Sequence, residues 1–253
     1  MAAGVIGVIG ASGGLGASTL AAALTRRVSV RQGACVLVDL DLGGGGAEVT
    51  TAVEHREGVR WVDLRDVVGS VDAARLVDAL PGVEGAGVLS AGGRGPVRRA
   101  DVPLAACRDV LDSLLGSGIP LVLDLPRSLP GVEEVAAQCS ELALLTGLHT
   151  RALADLDALV ERLESGWGEA GVPRGAGVIS RGRRVSADVV GAIEQHLGVP
   201  HLAHVVDDRR VALACERGEW PGSARDGLRA IADLLLDRGS AVGAGSEPQG
   251  AAS

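Results

Sequence analysis

Residues 5 to 19 read Val-Ile-Gly-Val-Ile-Gly-Ala-Ser-Gly-Gly-Leu-Gly-Ala-Ser-Thr, an aliphatic run that enters a glycine-rich loop. The run from Val5 to Ile9 is a short apolar segment of the kind that forms a strand covered on both faces. The loop opens a segment of helical period beginning at Ser18, and this order places backbone N–H groups and a helix N-terminus around an anion. We therefore expect a phosphate-binding loop on the first strand of an α/β fold.

A loop of this type normally carries a lysine that reaches the outer phosphates, and Ala17 stands at that position. The chain contains no lysine at all, since the 24 residues counted as Lys+Arg are all arginines. Phe, Tyr and Asn are also absent, which indicates a compositional bias such as that of a GC-rich genome. Such a bias explains arginine in place of lysine but not alanine. We therefore expect a nucleotide-binding protein with weak or lost hydrolytic activity.

Length and composition indicate a single cytoplasmic domain without a membrane span. With 253 residues, of which 47% are hydrophobic, the chain can bury a sizeable core. No apolar run approaches the roughly 18 residues that a membrane span requires. The cysteines lack the paired spacing of a metal or redox motif. They are Cys35, Cys107, Cys139 and Cys215.

The net charge of −8 makes DNA an unfavoured partner. Two small groups of arginines are the candidates for such contacts, and solvated loop charges are the simpler explanation for both. They are Arg94, Arg98 and Arg99 in one loop and Arg181, Arg183 and Arg184 in another.

Short aliphatic runs alternate with longer segments of helical period, which is typical of a doubly wound, mostly parallel sheet with helices on both faces. The predicted strands are Val5–Ile9, Cys35–Leu40, Gly85–Leu89, Ile119–Asp124, Leu142–Thr146, Gly175–Ile179 and His201–Val205. The predicted helices are Ser18–Arg31, Asp72–Leu80, Leu104–Leu115, Arg151–Glu164, Ser186–His196, Arg209–Arg217 and Arg225–Asp237. We expect residues 1–239 to form one domain and the Gly-, Ala- and Ser-rich residues 240–253 to form a disordered tail.

The loop from Gly10 to Gly16 resembles, on its own, the cofactor loop of the short-chain dehydrogenases. Asp39 at the end of the second strand would then hold the adenosine ribose. An active enzyme of that family needs a catalytic tyrosine and a lysine, and this chain has neither. A degenerate NAD(P)-binding relative remains as an alternative.

Residues 12 to 19 resemble more extensively the deviant Walker A loop, Lys-Gly-Gly-x-Gly-Lys-Thr/Ser-Thr, of the MinD/ParA partitioning ATPases. The chain departs from this pattern twice. Ser12 replaces the signature lysine that members present across a dimer, and Ala17 replaces the loop lysine. The resemblance implies the P-loop NTPase fold, with ATP and Mg²⁺ as ligands.

The resemblance also assigns roles to individual residues. Phosphates would be held by the loop residues Ser12, Gly13, Gly14, Leu15, Gly16, Ala17, Ser18 and Thr19. Ser18, Asp39 and Asp124 would hold Mg²⁺, since a hydroxyl and carboxylates suit this hard cation. Asp39 and Asp41 match the family's Asp-x-Asp, which implies a catalytic role in positioning the attacking water. Asp124 matches the acid of its Walker B strand.

The same resemblance assigns roles to two arginines and one serine. Ser180 and Arg181 end a strand where many relatives present an asparagine to the base, so Arg181 is expected to contact the nucleotide and Ser180 to substitute weakly for the asparagine. Arg127 follows Asp124-Leu125-Pro126 and would supply part of the missing positive charge, with a surface salt bridge as the alternative. His201 and His204, in one strand, are expected on opposite faces and form no metal site.

Alanine at the lysine position and the stretch Asp124-Leu-Pro-Arg-Ser128 are similar to the CpaE/TadZ branch of this family. The resemblance implies a role in septum-site determination or in positioning a Tad pilus or secretion assembly. It also implies a nucleotide-dependent homodimer, partners among pilus, secretion or cell-division proteins, and at most a peripheral membrane association through them. A scaffold whose loop binds no nucleotide is the remaining alternative.

Overall fold

The computed structural model describes residues 4–43, 46–91, 102–167, 175–224 and 227–244. Its strands are β1 (Val5–Gly10), β2 (Cys35–Asp39), β3 (Gly82–Val83), β4 (Ala86–Leu89), β5 (Leu121–Leu125), β6 (Glu141–Gly147), β7 (Gly175–Gly182) and β8 (His201–Val206). They form one eight-stranded sheet in the order β3-β4-β2-β5-β1-β6-β7-β8. The pair β3–β4 is antiparallel, and the other neighbours are parallel.

Helices connect these strands. They are α1 (Ala17–Gln32), α2 (Ala47–Thr50), α3 (Ala73–Asp78), α4 (Leu104–Leu115), α5 (Val132–Ala136), α6 (Thr150–Trp167), α7 (Ala187–Leu197), α8 (Arg209–Glu216) and α9 (Gly227–Ala244). A single turn of 3-10 helix lies at Trp61–Leu64.

The sheet is covered on both faces, which confirms the predicted doubly wound fold. One core cluster joins the sheet to α4, α5, α6 and α7, and a second joins it to α1 and α9. The central strands β2 and β5 are buried along their whole length. This double burial is why the strands read as continuous aliphatic runs rather than as alternating patterns.

Helix α9 packs against the sheet. Leu228 and Leu235 are buried in the second core cluster, and Asp233 pairs with Arg27 and Arg31 of α1 at 2.9 and 2.8 Å. The helix continues to Ala244, beyond the residue at which the predicted tail begins, and residues 245–253 lie outside the described residues. Within the described segments, no helix combines the length and hydropathy that crossing a bilayer would need.

Every predicted strand and every long helix is present, with ends shifted by at most three residues, except that α9 extends seven residues beyond the predicted Asp237. Four short elements were not predicted: β3, α2, α5 and the 3-10 turn. Each spans too few residues to show a hydrophobic period. Their positions depend on neighbouring elements rather than on local pattern.

The strand order tests the alternative that the chain is a degenerate NAD(P)-binding relative of the short-chain dehydrogenases. In the dinucleotide-binding fold the first and second strands are neighbours, in the order 3-2-1-4-5-6. Here β5 lies between β1 and β2, and β1 pairs with β5 and β6. This topology contradicts a dinucleotide-binding fold, and Asp39 therefore does not lie on the strand beside the loop.

Candidate functional site

The carboxyl ends of β1, β5, β7 and β8 surround an open cleft of about 1200 Å³. In a parallel sheet these ends share one edge, which is where ligands of α/β proteins bind. Residues 12–19, called the phosphate loop below, all line the cleft. Asp41, Asp124 and Arg181 line it too, so the structure brings together every predicted site residue except Asp39 and Ser180.

The phosphate loop turns tightly because two of its glycines have left-handed backbones. Gly14 has a φ of 78° and Gly16 a φ of 86°, a region that a side chain disfavours. Gly16 precedes α1 without a side-chain cap. Gly13 and Gly14 form a turn, and α1 begins at Ala17 shortly after it. The first amides of a helix have no partner within their own helix, and such an N-terminus is suited to binding phosphate groups.

Asp124 ends β5 beneath this loop and is almost completely buried, with 4% of its surface exposed. The Ser18 side chain lies close to its carboxylate, and the Oδ2 atom of Asp124 has no partner within the described chain. Burial, together with the nearby Asp39 and Asp41 carboxylates, raises the pKa of Asp124 to about 7. A neighbouring cation would lower the pKa of a buried carboxylate, so the raised pKa indicates that no described side chain supplies one to Asp124.

Asp39 ends the adjacent strand β2 but its carboxylate is turned away from the cleft. Its Oδ2 accepts hydrogen bonds from the Ala47 amide and the Ser90 hydroxyl, both at 2.7 Å. Its Oδ1 accepts one from the Asp41 amide at 2.9 Å. Burial raises the pKa of Asp39. These contacts tie Asp39 to the segment that carries Asp41, and Asp39 does not line the cleft in which the sequence predicts its metal and catalytic contacts.

Asp41, two residues further on, is exposed and lines the cleft. Its Oδ1 accepts a hydrogen bond from the Gly43 amide at 3.2 Å. Together with Asp124 it gives the β2–β5 side of the cleft a pair of carboxylates. Within the described residues, no three His, Cys, Asp or Glu side chains group closely enough to hold a metal ion by themselves.

Two arginines contact the backbone here, Arg181 within the phosphate loop and Arg127 at Ala11, the residue directly before it. Arg181, at the end of β7, donates to the Leu15 carbonyl at 2.8 Å and pairs with Asp207 at 2.7 Å. Arg127, after β5, donates from Nη1 to the Ala11 carbonyl at 3.2 Å. No carboxylate forms an ion pair with Arg127 among the described residues, so the salt-bridge alternative is not supported there.

Ser180 does not face the cleft as expected for a substitute of the base-binding asparagine. Its hydroxyl is fully buried and lies 2.8 Å from His201 Nε2 and 2.9 Å from His204 Nδ1. The prediction that the two histidines lie on opposite faces was wrong, because a register shift after Val178 places both beside Ser180. Burial lowers the pKa of His201. Of the three, His204 lines the cleft.

The remaining arginines lie elsewhere. Arg183 and Arg184 line an adjoining pocket that shares Gly14, Leu15 and Arg181 with the cleft. The group of Arg94, Arg98 and Arg99 lies outside the described residues.

Two residues that sequence reasoning missed support the site from behind. Ser90, at the end of β4, reaches Asp39, and Trp61 donates from its ring nitrogen to the Asp39 carbonyl at 2.7 Å. Little in the sequence indicated this role. Ser90 could be noticed only because it directly follows a predicted strand. Their contact with Asp39 required the strand order β4-β2, which the sequence pattern does not specify.

Two uncharacterized proteins of Mycobacterium tuberculosis, MT3760 and Rv3660c, are each 30% identical to this chain over 233 residues. The match covers 92% of this chain, and the chain spans 63% of the length of each relative. No family model matches the chain.

Solved structures match along nearly the whole chain. A ParA family ATPase from Chlorobium tepidum TLS has a TM-score of 0.74 at 17% identity, covering 93% of this chain and 98% of that one. The cell division ATPase MinD of Pyrococcus furiosus has a TM-score of 0.71 at 21% identity, covering 95% and 100%. The chain has the MinD/ParA fold.

A third neighbour is the septum site-determining protein MinD of Pyrococcus horikoshii OT3, complexed with Mg-ADP. Its TM-score is 0.68 at 18% identity, and the match covers 97% of this chain and 100% of that one. At these identities the feature that the chain shares with these proteins is the P-loop NTPase fold of the MinD/ParA proteins. A shared fold does not by itself determine function.

Proposed function

We propose that this MinD/ParA-like chain binds Mg–ATP in the cleft and hydrolyses it slowly or not at all. The observation that carries the proposal is the phosphate loop, whose glycine turn leads directly into the N-terminus of α1. The residues of this loop line the same cleft as Asp41 and Asp124. A Mg–nucleotide requires amides that bind its phosphates and, beside them, carboxylates that bind the divalent cation.

The residues fit Mg²⁺ on the side of Asp124. The unpaired Oδ2 of Asp124 and the Ser18 hydroxyl lie together, and both are oxygen donors. In nucleotide sites Mg²⁺ takes one or two protein ligands and completes its shell with phosphates and waters, so a closed protein cage is not needed. Bound there, Mg²⁺ would neutralise charge on the phosphates. Asp41 would orient a water molecule, and Asp39 would hold the Asp41 segment in place.

Slow turnover follows from Ala17. Fixed positive charge at the transferring phosphoryl group is a large part of catalysis in nucleotide hydrolases. The amides and Mg²⁺ can hold the phosphates without that charge. Binding would therefore persist while the rate of hydrolysis falls.

The wider role we propose is positional, in septum-site determination or in the placement of a Tad pilus or secretion assembly. The support is the alanine-containing loop and the Asp124–Ser128 stretch, both similar to the CpaE/TadZ branch. The fold shared with MinD proteins that are named for cell division and septum-site determination agrees with it. A homodimer favoured by nucleotide, acting with pilus, secretion or cell-division proteins in the cytoplasm, completes the proposal.

A calorimetric titration of the purified chain with Mg–ATP, Mg–ADP and NADPH tests this function. We expect saturable binding of the two adenine nucleotides and none of NADPH. Binding of NADPH alone would contradict the proposal, and binding of none of the three would favour the nucleotide-free scaffold.

Replacement of Ser18 by alanine should weaken Mg–ATP binding by about tenfold, the usual loss for one hydrogen bond to a charged group. The hydroxyl contacts Asp124 and is placed to reach Mg²⁺. Ser165, on the exposed surface of α6, gives the matched control Ser165→Ala. Affinity that stays the same in Ser18→Ala, with normal thermal stability, would remove Ser18 from the site.

A further inference from the structure

The cleft is short of positive charge where phosphates would lie. The loop itself carries none, since Ser12 and Ala17 occupy the two lysine positions of the related loops. The β2–β5 side contributes the carboxylates of Asp41 and Asp124. A triphosphate adds further negative charge, so a cation from another segment would strengthen the binding of its terminal phosphate beyond what the amides and Mg²⁺ provide.

The arginines that line the cleft differ in how far their charge is already neutralised. Arg181 pairs with Asp207, and Arg210 pairs with Asp208, each at 2.7 Å. Arg127 has no carboxylate partner within the described segments, and its guanidinium contacts the Ala11 carbonyl. A single neutral acceptor at 3.2 Å holds a guanidinium loosely compared with an anionic group. Arg127 is therefore the arginine whose charge is free for a ligand.

The sheet order places this charge at one end of the cleft. Arg127 follows β5, which lies between β2, the strand leading to Asp41, and β1, the strand leading to the loop. Arg181 lies across the loop at the end of β7. A nucleotide lying along this edge would have its phosphate end toward the carboxylates and Arg127, and its base toward β7 and β8.

The backbone at Arg127 is held rigidly while its side chain stays exposed. Arg162 of α6 donates to the Arg127 carbonyl at 2.7 Å and to the Leu129 carbonyl at 3.1 Å, and it also pairs with Glu133 at 3.1 Å. The Leu129 amide closes the turn on the Pro126 carbonyl at 2.9 Å. The turn thus fixes the backbone from which the Arg127 side chain extends beside Ala11.

We propose that Arg127 replaces the missing loop lysine as the cation that binds the terminal phosphate, so that the cleft prefers a nucleoside triphosphate to a diphosphate. This inference rests on the proposed function. It assigns the preference to one residue supplied by β5, outside the loop.

The test compares Mg–ATP and Mg–ADP affinities of Arg127→Ala with those of the unchanged chain by calorimetry. The ATP dissociation constant should rise by about 10- to 100-fold, and that of ADP by less than about threefold, because the lost partner is a charged group on the third phosphate. Arg127→Lys should recover part of the loss. Arg75→Ala, an exposed arginine on α3, serves as the charge-matched control and should change neither value.

Equal weakening of ATP and ADP, or no weakening of either, would overturn the role of Arg127 while leaving nucleotide binding intact. Failure of the unchanged chain to bind either nucleotide would overturn the proposed function and this inference with it. Arg127→Gln, neutral and still polar, provides the same comparison if the alanine variant does not fold.

Discussion

Replacement of Asp124 by asparagine should abolish Mg–ATP binding and stabilise the ligand-free protein above pH 7. The carboxylate is buried, and one of its oxygens has no partner within the described residues, so its charge is costly until a cation arrives. Asparagine removes that cost together with the Mg²⁺ ligand. The dissociation constant should rise by more than about 100-fold, since even outer-shell partners of a metal are worth about 10- to 100-fold.

The measurement is a pair of experiments on Asp124→Asn and on the control Asp78→Asn, an exposed aspartate of α3. Calorimetry reports the loss of Mg–ATP binding, and thermal unfolding at about pH 8 should show a Tm higher by several degrees. The control should alter neither. Retained Mg–ATP affinity in Asp124→Asn would place Mg²⁺ elsewhere.

The same residue makes the unchanged protein sensitive to pH. The pKa of Asp124 is about 7 in the folded chain against 3.8 for a free side chain, so the folded state binds its proton more tightly. Stability of the ligand-free protein should fall as pH rises from 3.8 to about 7 and then level off. Mg²⁺ has to displace that proton, so Mg–ATP affinity should drop by up to about tenfold per pH unit below about pH 7.

Introduction of lysine at position 17 should raise the rate of ATP hydrolysis by about 100-fold or more, the usual worth of one group that stabilises developing charge. Ala17 lines the open cleft at the start of α1, so a longer side chain has room to extend over the loop. The ammonium group would then face the phosphates that the loop amides hold.

Phosphate release under saturating Mg–ATP measures this gain. Ala17→Met, which has similar length and no charge, is the control and should leave the rate unchanged. A rate that stays unchanged in Ala17→Lys despite tight Mg–ATP binding would show that something other than the missing lysine limits hydrolysis, with Ser12 the next residue to test.

The parts of the site that the sequence predicted are those set by local order along the chain. A strand, a glycine-rich loop and a helix follow one another without interruption from Val5 to Gln32. Asp41 and Asp124 each follow a buried strand, and parallel strands bring their carboxyl ends to one edge. These residues are therefore expected to lie close together at one edge of the sheet, independently of how the other elements are arranged.

The parts that could not be predicted depend on which strands are neighbours and on irregular pairing. Asp39 was predicted as a ligand from its match to the Asp-x-Asp pattern. Its contact with Ser90, 51 residues away, could not be predicted, because no local pattern encodes the place of β4 beside β2. The two histidines around Ser180 were misplaced because strict alternation assumes a regular strand. A shift of register within the β7–β8 pair moves one of them to the other face.

The hydrogen bond between Trp61 and the Asp39 carbonyl gives this protein an optical probe of its own site. The indole ring is fully buried and contacts the Asp39 carbonyl, two residues before Asp41 in the chain. The chain has three tryptophans and no tyrosine, so its ultraviolet emission comes from indoles alone. We expect a ligand in the cleft to change the electric field around the indole ring of Trp61, so that binding can be followed as a shift in tryptophan fluorescence without attaching a dye.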